Sequence, residues 1–279
     1  MSAEQGMLTR REALTLIGAA AASLALPACA APPAPEEGSA GSAGGSSDKL
    51  TAERVEPETP PAPNPVDPST LPAETVLTAE DLELAGGADA FFWVQEIGDV
   101  IFARMEGRSY PADCTVPLDQ LRYVRVLHVD ADGRTKVGEL VVNAAIAADV
   151  LEIFRGLYDG GYPIERMRLV DDYGADDELS MEDNNTSSFC FRIIMGTDRL
   201  SQHAYGLAID VNTFYNPYYI VSSGYVAPQG SEPYVDRSVE SPYRIDRGDL
   251  CYQLFTERGF SWGGDWSDPK DYQHFETYL

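Results

Sequence analysis

Alternating apolar and polar positions predict a β-hairpin in the first half of the folded part of the chain. Residues 121–130 alternate loosely, residues 137–142 form a second apolar stretch, and Asp132-Gly133 lies between them. A period of two is typical of strands, and Asp-Gly between two strands is typical of a tight turn. Asp130-x-Asp132-Gly also resembles the start of a calcium loop, but no glutamate stands at the closing position. The pattern therefore favours a hairpin, with His128 as a strand residue rather than a metal ligand.

A helical period follows the hairpin. From Asn143 to Tyr158 apolar residues recur at helical spacing, and Gly160-Gly161 follows. We predict a helix that Asn143 caps, that buries one apolar stripe in the core and that ends at the glycines. Residues 167–170 indicate a short strand, and the acidic stretch 171–183 indicates a solvated loop rather than a cation site.

The fold class follows from this order of elements. Thr78 precedes Ala79, Glu80 and Asp81, a sequence typical of the first turn of a helix, so the folded domain is predicted to cover residues 78–279. Helices mixed with short, hairpin-linked strands predict an α+β fold, an antiparallel sheet with flanking helices.

The N-terminal 28 residues have the features of an export signal. Arg10 and Arg11 precede a short apolar run rich in small residues, and the pair resembles a twin-arginine bacterial signal. Leu26-Pro27-Ala28-Cys29 resembles a lipobox, which predicts a lipid on Cys29; a plain secretory signal is the alternative. We expect the protein to be exported, either lipid-anchored at the outer face of the cytoplasmic membrane or secreted to the cell wall.

Residues 29–77 are predicted to be a disordered tether. The segment is rich in Ala, Pro, Gly and Ser, and no aromatic residue occurs from Ala30 to Pro72. Such a composition buries too little apolar surface to offset the entropy of ordering the chain.

The net charge and the cysteine content exclude some partners and some classes of fold. With 45 acidic and 20 basic side chains the formal net charge is −25, which argues against nucleic acid as a partner. The four cysteines are too few for a disulfide scaffold, and Cys114, Cys190 and Cys251 leave three possible pairings among which the sequence does not choose. We expect a monomer.

Two segments carry the chemistry. In Ser201–Asn212, Asp210 lies on an alternating strand, and His203 precedes Gly206, where the chain can bend and bring the imidazole back toward the carboxylate. The second segment, near the C-terminus, contains Asp271 and His274. His203, Asp210 and His274 supply three protein ligands, the number found in catalytic zinc sites with an open fourth position. Asp271, three residues before His274, is placed to act as a general base without binding the metal.

At this point the sequence resembles a known family. Ser-x-His-x-x-Gly-x-Ala-x-Asp at 201–210, Asn-Pro-Tyr at 216–218 and Trp-Gly-Gly-Asp-Trp leading to Asp-x-x-His-Phe-Glu resemble the zinc D-alanyl-D-alanine carboxypeptidases and L-alanyl-D-glutamate endopeptidases of peptidase family M15, over roughly residues 140–276. The resemblance implies the zinc DD-peptidase (hedgehog-like) fold, Zn²⁺ on His203, Asp210 and His274, and Asp271 as the catalytic carboxylate. Phe189-x-x-Arg192 resembles the arginine motif of that family, which implies that Arg192 faces the substrate; a salt bridge with the acidic stretch is the alternative.

Other residues near the motifs have weaker assignments. Ser201 and Tyr205 are candidates to orient His203 or to contact substrate. Glu276 lies two residues along a strand from His274, so it faces the same side and is a candidate to support that ligand. Asp265 is assigned to a turn, and Trp262, Trp266 and Tyr272 to the walls and core.

The function predicted from these residues is zinc-dependent hydrolysis of peptidoglycan stem peptides, with the peptide stems as substrate and the N-terminal lipid as membrane anchor. Carboxypeptidase and endopeptidase activities share this site. Two alternatives stay open: an inactive module that holds zinc and binds the cell wall, and a peptidase that acts on a peptide unrelated to the wall.

Overall fold

The largest sheet of the computed structural model has four antiparallel strands in the order β1, β4, β3, β2. The structure describes residues 65–194 and 196–279; the predicted export signal, Cys29 and most of the predicted tether lie outside them. The strands are β1 Val76–Leu77, β2 Trp93–Glu96, β3 Leu121–Val129, β4 Thr135–Asn143, β5 Arg166–Met167, β6 Asn185–Thr186, β7 Ala208–Asp210, β8 Tyr218–Ile220, β9 Tyr225–Ala227, β10 Ser261–Trp262, β11 Lys270–Asp271 and β12 His274–Glu276. The helices are α1 Ala79–Leu84, α2 Asp99–Met105, α3 Ala147–Asp159, α4 Asp177–Glu182 and α5 Leu250–Glu257. These elements confirm the predicted α+β class.

The predicted hairpin is β3–β4, paired in register from Leu121↔Asn143 to Val129↔Thr135. Its turn is built by Asp130, whose Oδ1 accepts hydrogen bonds from the backbone N–H of Asp132 (3.1 Å) and Arg134 (3.0 Å). The Asp130 carboxylate is therefore used within the turn. His128 lies in β3, 1% exposed, with Nδ1 at 2.9 Å from the Ile164 carbonyl oxygen, in agreement with its assignment as a strand residue.

The predicted helix is α3, which begins three residues later than expected and ends before Gly160. Asn143 is the last residue of β4, so its assignment as the helix cap was wrong. Its side chain instead accepts a hydrogen bond from the N–H of Ala145 (3.0 Å) and donates one to the Tyr205 carbonyl oxygen (2.9 Å). The buried stripe of α3 packs in the main core, where Phe255 of α5 stacks on Phe275 of β12 at 4.2 Å between ring centroids. The core thereby fixes the strand that carries His274.

Ordered packing begins before Thr78, where the sequence analysis placed the start of the domain. β1 pairs with β4, and Val66 and Leu71 pack against a cluster that includes Phe91 and Leu127. A few aliphatic side chains within the Pro-rich segment are enough to cover this edge of the sheet, although the average composition hides them. Thr78 caps α1 as predicted, in a capping box with Asp81.

The acidic stretch 171–183 is not the solvated loop that the sequence analysis predicted. It contains the end of a 3₁₀ turn, Val170–Tyr173, and α4, which Asp176 caps by accepting a hydrogen bond from the Leu179 N–H (3.1 Å). Asp171 is buried and accepts a hydrogen bond from the N–H of Ser109 (3.0 Å). Acidic side chains at a helix start satisfy free N–H groups, which explains why this composition folds. The strand predicted at 167–170 is shorter, Arg166–Met167.

Two small antiparallel sheets carry the chemistry-bearing residues. Their strand orders are β10–β12–β7 and β11–β8–β9. Cys114, Cys190 and Cys251 are all free thiols, so none of the three possible disulfides forms. Within the described residues, none of the helices has the length and apolar character needed to cross a bilayer.

Glu139 is expected to make the stability of the domain sensitive to acid. It is 1% exposed in β4 and accepts hydrogen bonds from Arg104 (2.9 and 2.5 Å) and from the Tyr123 hydroxyl (2.6 Å). Burial opposes its ionisation, but Arg104, the Tyr123 hydroxyl and Arg125 together outweigh burial and lower the pKa of Glu139 below its usual value. A lowered folded-state pKa stabilises the fold above the unfolded-state pKa of about 4.3, and this contribution is lost as the pH falls through the folded-state value.

We expect Glu139→Gln to cost about 1–3 kcal/mol at pH 7, less than for a fully buried pair because Arg104 is partly exposed and keeps Asp172. The variant should also lose less stability than the wild type between pH 6 and pH 3. Urea unfolding across that range measures both effects, with the exposed Glu96→Gln on β2 as the control. Equal pH slopes for Glu139→Gln and wild type would contradict the assignment.

Candidate metal centre

Strand pairing brings Asp210 and His274 together. They are direct partners in the antiparallel pair β7–β12, so their side chains leave the same face of the sheet at neighbouring positions. The Asp210 Oδ1 atom lies 2.9 Å from His274 Nδ1. Both residues are buried, at 8% and 6% exposure.

His203 reaches the pair from a 3₁₀ turn, Gln202–Tyr205, that precedes β7. Ser201 caps the turn by accepting a hydrogen bond from the His203 N–H (3.2 Å). Gly206 ends the turn with φ +66°, and a Cβ there would lie 2.6 Å from the backbone nitrogen of Asn143. Only glycine fits this left-handed, crowded position, which turns the chain so that the imidazole faces Asp210. His203 Nε2 then lies 3.1 Å from Asp210 Oδ2 and 3.1 Å from His274 Nδ1.

The other nitrogen of each imidazole has an acceptor outside the centre. His203 Nδ1 lies 2.7 Å from the carbonyl oxygen of Ser188, and His274 Nε2 lies 3.3 Å from Glu276 Oε2. A ring N–H donating to these oxygens leaves the opposite nitrogen with a free lone pair. The supporting groups thus select the tautomers in which His203 Nε2 and His274 Nδ1 are ligand atoms.

The geometry of the three ligand groups fits a small divalent cation. Ligand atoms of His203, Asp210 and His274 lie within 4.8 Å of one another, and the shortest separations are 2.9, 3.1 and 3.1 Å. Ligand atoms at about 2.0–2.1 Å from a tetrahedral zinc ion are about 3.3 Å apart. Two imidazoles and one carboxylate are a donor set that zinc accepts, with a fourth position left open.

Electrostatics at the centre favour a cation. Burial opposes the ionisation of Asp210, yet the charge of His203 and hydrogen bonds with both imidazoles hold the pKa of this carboxyl well below its usual range. Burial also opposes a charge on His274, but its hydrogen bonds with Asp210 and Glu276 outweigh burial and raise its pKa to about 10. The buried carboxylate therefore attracts positive charge, which a divalent ion between the three ligands supplies.

Asp271 lies beside the centre without belonging to the ligand set. It ends β11, which pairs with β8, and its backbone packs so closely on Gly263 that a Cβ there would lie 2.6 Å from the Asp271 carbonyl oxygen. Its Oδ1 atom is buried and has no hydrogen-bond partner. Burial and the nearby Asp210 raise the pKa of Asp271 to about 7, although the charge of His274, a hydrogen bond from the Gln273 side chain and the charge of Arg192 oppose that rise. A carboxyl group that can exchange a proton near neutral pH is suited to general acid–base chemistry.

Arg192 lies in the wall of the same cavity. Its Nε forms an ion pair with the Asp177 carboxylate of α4, and its carbonyl oxygen accepts a hydrogen bond from the Ser201 N–H (3.1 Å), which ties it to the turn that carries His203. Arg192 therefore forms the ion pair with the acidic stretch that the alternative predicted, and it also lines the cavity. Its contact with substrate stays a prediction.

The predicted site residues converge on one cavity of about 460 Å³, with the exception of Tyr205. Ser201 and Glu276 line it with the three ligands, Asp271 and Arg192. The Tyr205 side chain is 37% exposed and lies outside the lining. Trp266 forms part of the wall, its ring 5.5 Å from that of His274, whereas Asp265 pairs with Arg247 outside the cavity. The sequence analysis missed Asp177 and Met181, which only the packing of α4 brings here. It also missed Gln273, which occupies an unspecified position of the Asp-x-x-His motif.

A possible metal cluster and a cavity beside it are features of metallopeptidases. Residues 195–277, under a third of the chain, match a peptidase M15 family model described as D-alanyl-D-alanine carboxypeptidase, and this match supports a metallopeptidase assignment for that part of the chain. The matched segment contains the three ligands and Asp271, while Arg192 lies just before it. Comparisons with curated proteins and with solved structures give no match.

Glu276 is expected to strengthen metal binding through His274. Glu276→Ala removes the acceptor of the His274 Nε2–H, so we expect zinc affinity to fall about 10- to 100-fold. Competition with a chromophoric chelator measures the affinity. The exposed Glu257→Ala on α5 should bind zinc like the wild type, and an unchanged affinity in Glu276→Ala would argue against the supporting role.

Proposed function

We propose that the domain hydrolyses peptide bonds in the stem peptides of peptidoglycan, with zinc held by His203, Asp210 and His274. The observation that carries this proposal is the buried, unpartnered Oδ1 of Asp271 in the same cavity as the three ligands. An inactive zinc-holding module has no need of such a carboxylate. The family description favours the D-alanyl-D-alanine bond as the first substrate to test.

The roles of the chain's own groups follow from their positions. Zinc, when bound, polarises the scissile carbonyl and acidifies a water molecule. Asp271 takes the proton of the attacking water at its free oxygen and passes it to the departing amine. Arg192 offers a guanidinium to the negative charge that develops on the carbonyl oxygen, and Asp177 holds that guanidinium in place.

Export and lipid attachment at Cys29 belong to the same proposal. A stem-peptide hydrolase acts outside the cytoplasm. The twin arginines would serve as an export signal, and the lipobox-like sequence would provide the site of lipid attachment. Membrane fractionation of the wild type and of Cys29→Ser tests the anchor. If the wild type and Cys29→Ser are retained equally in the membrane fraction, Cys29 does not carry the anchor.

The decisive test of activity is mass spectrometry of purified muropeptides incubated with the zinc-loaded protein. Loss of a terminal alanine identifies a carboxypeptidase, and scission between L-alanine and D-glutamate identifies an endopeptidase. No product from a fully metallated protein would favour the two alternatives, a wall-binding module or a peptidase for another peptide.

A further inference from the structure

The cavity contains an amide group that the proposed chemistry does not use. Gln273 precedes His274, lines the cavity and is 3% exposed. Its Oε1 atom is buried and has no hydrogen-bond partner. A buried amide oxygen without a donor costs free energy, so a group that supplies the donor when it binds is favoured.

The contacts of Gln273 fix which end of the amide is free. Its backbone carbonyl accepts a hydrogen bond from the Val211 N–H (3.0 Å), which anchors the residue beside β7. Its Nε2 donates to the thioether sulfur of Met181 in α4 (3.4 Å). The same amide also hydrogen-bonds the Asp271 side chain. A thioether and a carboxylate both accept, so the NH₂ end belongs on this side and the oxygen is left without a donor.

The acidic residues around this part of the cavity do not fill that need. Asp177 pairs with Arg192, Asp176 caps α4, and Glu178 accepts a hydrogen bond from the N–H of Gln229 (2.7 Å). The buried oxygens of the cavity wall that lack a partner are Gln273 Oε1 and Asp271 Oδ1. The amide oxygen of Gln273 can only accept, so this part of the wall is complementary to a hydrogen-bond donor.

We propose that Gln273 binds the substrate by accepting a hydrogen bond from a backbone N–H of the peptide next to the scissile bond. The inference rests on the proposed peptidase function and deepens it. A peptide offers one N–H donor per residue, whereas a terminal carboxylate offers only acceptors. A site built to receive an N–H rejects an analogue that lacks it, because its own buried group then stays unpaired. Gln273 is thus a specificity-determining residue, while Asp271 handles the proton.

The test compares a stem peptide with analogues in which each N–H flanking the scissile bond, but not the scissile N–H itself, is replaced in turn by an ester oxygen. For the wild type we expect kcat/KM to fall about 10- to 100-fold for one of these analogues. Gln273→Met has a side chain of similar length without the acceptor. Its kcat/KM for the parent peptide should be lower than that of the wild type by a similar factor, and it should no longer distinguish the parent peptide from the ester analogue. Gln273→Glu, which keeps an acceptor, should still distinguish them.

The controls separate a specificity role from a structural one. Zinc content and melting temperature show whether each variant is folded and loaded, and Gln253→Met on the surface of α5 should behave like the wild type. The same discrimination in Gln273→Met as in the wild type would overturn the inference and leave the peptidase function intact.

Binding of the same peptides, measured by calorimetry, covers the case in which nothing is hydrolysed. If the peptides bind without being hydrolysed, and the wild type but not Gln273→Met still prefers the parent peptide to the ester analogue, the proposed hydrolysis is wrong and Gln273 remains a peptide-binding residue. If the peptides are neither hydrolysed nor bound, both the proposed function and the inference are wrong.

Discussion

Asp271→Asn is expected to lower kcat on a muropeptide substrate by about 10²- to 10⁴-fold while leaving zinc bound. Asparagine has nearly the same shape, so the packing on Gly263 is kept. It cannot take a proton from water at neutral pH, and it therefore removes only the general base. Because Asp271 lies outside the ligand trio, the zinc content should stay near one per chain.

The measurement is steady-state kinetics with the metal content of the same sample. Asp265→Asn is the matched control, since Asp265 lies six residues away but pairs with Arg247 outside the cavity; its kcat should stay within about twofold of the wild type. A zinc-loaded Asp271→Asn enzyme that retains most of its activity would require another base.

His203→Gln is expected to abolish stoichiometric zinc binding and, with it, activity by at least about 10³-fold. The variant removes a nitrogen ligand 3.1 Å from both other ligand groups, and three protein ligands are the fewest in catalytic zinc sites of this type. Zinc binding should also stabilise the wild type, by about 2.7 kcal/mol when free zinc is at 100 times the dissociation constant. His203→Gln should show little of that stabilisation.

His128→Gln is the matched control for this prediction. Both histidines are buried, at 1% and 3% exposure, but His128 lies in β3 against the Ile164 carbonyl rather than at the centre. His128→Gln should be less stable than the wild type but should still bind one zinc ion per chain. Metal analysis and thermal melts with and without zinc compare His128→Gln with His203→Gln. Equal zinc content in both variants would show that His203 is not a ligand.

The local elements could largely be predicted because their causes are local. The hairpin depends on alternation and on an Asp-Gly turn, and α1 depends on Thr78 and Asp81 within one turn. The sequence-based prediction failed where a polar side chain could form hydrogen bonds with more than one backbone group. Asn143 has the residue type of a helix cap, but it bonds the Tyr205 carbonyl, 62 residues away, and a distant partner leaves no sign in the local pattern.

The candidate ligands could be predicted for a different reason. Histidine is rare in this chain, and the spacing of His203, Asp210 and His274 within two motifs leaves few combinations. The motifs do not contain the register of β7 against β12, which decides that Asp210 faces His274. Arg192 had two open interpretations, and only the position of α4, which supplies Asp177, shows the ion pair.

The sequence by itself predicted the candidate ligands, the candidate general base, the hairpin and the helical stripe, because each depends on residue identity or on a period of a few residues. The tertiary structure alone decided the imidazole tautomers, the ion pair of Arg192 and the unpartnered oxygen of Gln273. It also showed that packing begins before Thr78. These features depend on which distant groups a side chain meets after the chain has folded, and that choice is set by the shared burial of many residues rather than by any one segment.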